Sequence, residues 1–109
     1  MEFNNPKFGK CMIRELTQAD AEEISKTSAA LKAENPVVYN RKMLEMAIDR
    51  GMIQEPKLGK AELASQKPGM LNWLAGKVAA AYKDAMTVPP DSSSPLQPAQ
   101  NGAEKPPTS

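Results

Sequence analysis

Histidine is absent from this chain of 109 residues. That removes the commonest general base and the commonest metal ligand at neutral pH. A single cysteine, Cys11, excludes an internal disulfide and suits a reducing compartment. Only two Phe, two Tyr and one Trp are present, so aromatic packing contributes little to any core. Charge of one sign is lacking too: 14 basic against 13 acidic residues leave a net charge of +1. Without a long-range field, neither nucleic acid nor an anionic membrane is favoured as a partner. No apolar run approaches the ~20 residues needed to cross a bilayer. The first residues, Met1 to Lys7, lack the basic-then-apolar pattern of a signal peptide. A soluble, cytoplasmic protein of one domain is the expectation.

What is present reads as a mainly α protein. Apolar residues make up 40% of the chain, and seven of them are Met, more than Phe and Tyr together, so the core or a binding face is expected to be adaptable. Phe8 to Leu16 carries a short apolar stretch that suits one N-terminal β-strand of about five residues. Thr17 is an N-cap, with Asp20 in the position of a capping box that its short side chain is not expected to close fully. From Gln18 to about Ala33 the pattern is helical, with Ala21, Ile24, Ser28 and Leu31 on one face and Glu22–Lys26 as an i,i+4 pair. Asn35-Pro36 ends that helix and starts a second, which runs to about Arg50 and is closed by Gly51. Its main apolar face is Val37, Leu44, Ala47 and Ile48, extended sideways by Tyr39, Met43 and Met46.

Met52 to Gly59 is a connector that Pro56 keeps out of a helix. A short helical piece from Lys60 to Ser65 is expected to turn Ala61, Leu63 and Ala64 inward. Met70 to Met86 holds Leu71, Leu74, Val78, Ala81, Tyr82 and Ala85 as a clean helical stripe. The predicted architecture is a small bundle of about four helices with a short N-terminal strand, spanning residues 1–86. Residues 87–109 hold six of the ten prolines and no aromatic residue, so they cannot bury enough surface to offset ordering and are expected to form a disordered Pro/Ser-rich tail.

Each candidate for chemistry reads better as structure. Cys11 has no histidine to activate it and sits in the expected strand, where a buried thiol is the plainer reading. Glu45 and Asp49 share a helical face, but two carboxylates without further ligands are usually a solvated face. Gly51 with Gly59-Lys60, and Gly69 with Gly76-Lys77, are both wrongly spaced for a phosphate loop. No catalytic residue, cofactor site or metal site is expected, and the chain is not expected to be an enzyme. Arg41, Lys42, Arg50, Lys57, Lys60 and Lys67 are interleaved with Glu45, Asp49, Glu55 and Glu62. The long connector after Gly51 also spoils a helix-turn-helix. A membrane-lying last helix is disfavoured by its weakly basic polar face. A protein partner remains, with Val38, Met43, Met46, Met70 and Trp73 as candidate contact residues. The small core also makes self-association into a homo-oligomer an expectation.

The order of features then becomes informative. Met12-Ile13-Arg14-Glu15-Leu16-Thr17-Gln18-Ala19-Asp20-Ala21-Glu22-Glu23-Ile24 is a strand-like stretch, a Glu-Leu-Thr turn and a polar helix, followed by further helices and a Pro/Ser/Ala-rich tail. This resembles the small tail assembly chaperones of long-tailed bacteriophages, the lambda G-like group. The sequence content of the likeness lies between Ile13 and Ile24. The resemblance implies a non-enzymatic helical protein of the host cytoplasm, absent from the finished virion. Such a protein coats the tape measure protein and helps recruit tail tube subunits. It also implies a longer frameshifted product, and Val88-Pro89-Pro90 is compatible with a slippery run of cytosines. A small regulatory or inhibitor protein binding one folded partner is the competing class, and a DNA-binding or packaging factor a third.

Overall fold

The computed structural model describes residues 1–88. The expectation of a disordered tail falls almost wholly on residues outside that range; Thr87 and Val88 are exposed and in no regular element. The order of elements is β1 (Glu2–Asn5), β2 (Gly9–Ile13), α1 (Gln18–Ala30), α2 (Pro36–Asp49), β3 (Ile53–Glu55), a 3-10 segment (Lys60–Ser65) and α3 (Pro68–Met86). The described residues are mostly helical, as expected. Instead of one strand, however, the described residues build a three-stranded antiparallel sheet in the order β1-β2-β3, and one of the four helical segments among them is 3-10.

The hairpin that starts the chain is set by Asn5. Its Oδ1 accepts from the backbone N–H groups of Lys7 and Phe8 at 2.8 and 3.0 Å, closing an Asx-type turn, and Gly9 follows at a φ of +92°. Pairing then places Phe3 opposite Cys11 and Glu2 opposite Met12. Period-two alternation turns Cys11 and Ile13 inward, where both are buried, and leaves Lys10 in solvent. On its other side β2 pairs with β3, with Ile13 opposite Ile53 and an irregularity between Met12 and Ile13.

The helices begin and end where local chemistry dictates. Asn35 Oδ1 accepts from the Val38 N–H at 2.9 Å and Pro36 occupies the first helical turn of α2. That helix ends in a Schellman arrangement: Gly51, at a φ of +66°, donates to the Ile48 carbonyl and Met52 donates to the Ala47 carbonyl. The arrangement drives Met52 fully into the core and starts β3 immediately afterwards. Pro68 lies in the first turn of α3 and opens that helix, ahead of the apolar stripe that starts at Leu71.

The core is one cluster of Cys11, Ile13, Ile24, Leu44, Ala47, Met52, Leu63, Leu71, Leu74, Ala75, Val78 and Ala81. Helix α2 packs most extensively against α3, β2 lies on α3, and α1 is the helix least closely held by its neighbours. Two sequence-based assignments are corrected here. On α2 the inward residues are Met43, Leu44 and Ala47, whereas Val37 is 63% exposed at the helix start. In the 3-10 segment only Leu63 turns inward. Ala61 and Ala64 are exposed, because three residues per turn cannot bring all of them to one side.

Candidate functional site

Two places outside the bulk core stand out: a buried charge cluster where three elements meet, and an open groove between α1 and α3.

The cluster centres on Asp20, the buried charged residue among those described, with 1% of its surface exposed. Its carboxylate closes the capping box of α1. Oδ2 accepts from the Thr17 N–H at 2.8 Å, and Thr17 Oγ1 accepts from the Asp20 N–H at 3.3 Å. The short acid was expected to leave this box half open; it closes because two arginines fix the carboxylate in place. Arg14, just beyond β2, reaches it with both terminal nitrogens, and Arg50, at the end of α2, donates from Nε at 3.0 Å. Arg14 also donates to the carbonyls of Arg50 and Gly51 at 2.7 and 3.1 Å, meeting the unpaired end of α2 with positive charge.

Every favourable direction around the Asp20 carboxylate is therefore taken. The Arg14 hydrogen bond holds the carboxyl well below the usual carboxylate range. Burial opposes this, while Thr17 and Arg50 reinforce it. A carboxylate so saturated has no lone pair to offer a substrate proton or a cation, and it serves as a strut tying β2, α1 and α2 together.

A pH dependence follows. The folded-state pKa of Asp20 is depressed, so its contribution is complete at neutral pH. It is lost as pH falls below the ordinary Asp value of about 3.9, and the loss continues toward the lower folded-state value. Urea unfolding at pH 7, 4, 3 and 2 is expected to show falling stability, with a shallower fall for Asp20→Asn. Equal acid sensitivity in both proteins would contradict this role.

The remaining candidates for chemistry have structural partners. Cys11 is fully buried, and burial pushes its thiol pKa up, away from the thiolate that a nucleophile needs. Glu45 pairs with Arg41 one turn away at 2.6 Å, and Asp49 pairs with Lys60 at 2.9 Å. Glu22 accepts from Gln18 at 3.1 Å, and the expected pair with Lys26 is not formed. Among the described residues no group of three or more potential ligands is placed to hold a metal ion.

The second place is the groove, a cleft of about 500 Å³. Ile24, Met43 and Val78 line it with larger apolar groups; Ser25, Ser28 and Ala29 of α1 face Ala75 and Ala79 of α3 across it. Its aromatic members are Tyr39, whose hydroxyl shares a hydrogen bond with Ser28 at 3.1 Å, and Tyr82. From Ser25 and Tyr82 a second depression continues past Ala21 and Lys26 to Met86, which is 58% exposed. The cause lies in the sequence of α1. Short side chains at Ala21, Ser25, Ser28 and Ala29 cannot fill the space between α1 and α3, so apolar surface is left uncovered.

The five residues named from sequence as contact candidates do not form one surface. Met43 is buried at 4% exposure and contributes to the groove from below, so it is corrected from a surface contact to a core residue. Val38 and Met46 are half-buried on α2, Met46 beside the cleft that contains Glu23, Lys42 and Arg50. Met70 and Trp73 are half-buried and pack against the core; the Trp73 ring sits 6.0 Å from that of Phe8 in the hairpin turn. Trp73 thus covers the core beneath the hairpin. Sequence reasoning missed Tyr39, Tyr82 and the small residues that make the groove. The run of small residues on α1 was the available signal.

No family model, curated protein or solved structure matches this chain. Among the described residues no helix is long and apolar enough to cross a membrane.

Proposed function

We propose that this chain is a non-enzymatic, protein-binding chaperone of phage tail assembly, working in the host cytoplasm. In this reading it coats the tape measure protein and helps recruit tail tube subunits. The observation that carries the binding role is the uncovered apolar groove between α1 and α3, on a domain whose buried carboxylate is held by structural partners and whose thiol is fully buried. A groove between two helices, with short side chains on both walls, accepts a helix from a partner, which is a common mode of peptide recognition. A tape measure protein is long and helical, so it presents many such segments. The specific client comes from the resemblance of Ile13 to Ile24 to the small tail assembly chaperones. Within that stretch Arg14, Thr17 and Asp20 shape the junction of β2, α1 and α2, a structural reason for those residue types to occur together.

The DNA of the gene tests the assignment directly. The expected finding is a slippery run at the codons of Val88-Pro89-Pro90, an overlapping downstream frame, and then a long open frame encoding a helical protein. Unrelated neighbouring genes with no overlap would contradict it.

A further inference from the structure

The groove has an electrostatic character that its apolar lining does not reveal. Lys32 lines it, Lys26 lines its continuation toward Met86, and Lys83 is exposed on α3 one turn beyond Ala79. Among the described residues none of these three lysines has an ion-pair partner; Lys7, Lys57, Lys67 and Lys77 have none either, but none of those four lines the groove or its continuation. The acid lining the groove region is Glu22, at its Met86 end, where Gln18 already donates to it. A chain of nearly balanced charge has therefore left uncompensated positive charge along the rim of its uncovered apolar cleft.

We infer that the α1–α3 groove docks an amphipathic helix of a protein partner, one that carries a ridge of small and aliphatic residues flanked by Asp and Glu. The inference rests on the binding role proposed above and specifies the partner's chemistry. The walls decide the shape: Ser25, Ala29, Ala75 and Ala79 are short enough for another helix to approach closely. The ridge then covers Ile24 and Val78, and its acidic flanks come to lie beside Lys26, Lys32 and Lys83. Complementary rim charges steer association and set orientation more than they add affinity. A partner helix with basic flanks would meet three like charges and be rejected.

The test uses the full chain and two synthetic helical peptides of about 18 residues, five turns, labelled with a fluorophore. They share one Leu/Ala ridge and differ only in having Glu or Lys along both flanks. Anisotropy titrations at low salt are expected to show the Glu-flanked peptide binding about tenfold more tightly, a margin that salt narrows. Amide resonances of Ser25, Ala29 and Ala79 should shift on binding. Ala79→Glu, a change at an exposed position, should weaken the Glu-flanked peptide strongly while circular dichroism stays unchanged. The pair Lys26→Glu and Lys32→Glu should reverse the preference between peptides.

Equal affinity for both peptides, binding of neither, or shifts confined to the Phe8–Trp73 face would overturn the inference. Failure here is distinguishable from failure of the chaperone assignment. A helical client that co-purifies equally well with Ala79→Glu would leave the function standing and remove the groove from it.

Discussion

Asp20→Ala is expected to lower the unfolding free energy by about 3 kcal/mol, the low end for breaking a buried ion pair with the reciprocal half of a capping box lost as well. The carboxylate is 1% exposed and accepts from Arg14, Arg50 and Thr17, so its removal orphans donors on three segments at once. The loss stays at the low end because the Arg14 and Arg50 side chains are 29% and 33% exposed and can turn toward water. Asp20→Asn keeps a cap acceptor for Thr17 but loses the charge between two guanidinium groups, and should fall between the parent and alanine. For a domain of this size, ~3 kcal/mol lowers the thermal midpoint by more than ~10 °C. Urea titration at pH 7, followed by helical circular dichroism, measures it. A change below about 1 kcal/mol, the scale of an ordinary surface pair, would mean that the cluster is not a strut.

Leu44→Ala is expected to cost about 3 kcal/mol, within the range for a fully buried leucine. Leu44 has no exposed surface and belongs to the central cluster, where α2 meets its neighbours. Val37→Ala on the same helix should change stability by less than about 0.5 kcal/mol, because Val37 is 63% exposed. Periodicity alone groups these residues on one apolar face, so their contrasting effects separate the structure from the pattern. Similar losses at both positions would show that the first turn of α2 is buried in solution.

The helices were legible because their ends are written locally. Thr17 with Asp20, Asn35-Pro36 and Gly51 each act within four residues of themselves, and each boundary lies where those residues placed it, to within a few positions. The sheet was less legible. Only β2 has an apolar strand pattern; β1 contains two asparagines and β3 is three residues long, and both become strands because β2 offers its edges. The same distinction governs the charge cluster. Asp20 was visible as a cap, but Arg14 and Arg50 lie 6 and 30 residues from it, and only the fold brings them together. Met43 appeared as a lateral surface residue because helical periodicity does not say how wide the buried face is. Packing against α3 as well as α1 widens that face. The groove is a property of the space between two helices, and no single helix displays it.

The central claim, that this chain coats a long helical client, is tested most directly by the mass of a complex. The full chain would be co-expressed with the long helical client that the proposed function implies, purified through the client, and measured by size-exclusion chromatography with light scattering. The account predicts many copies of this chain on each client, with the number falling in proportion when the client is shortened. One copy per client, independent of client length, would contradict it and point to a regulator of a single folded target.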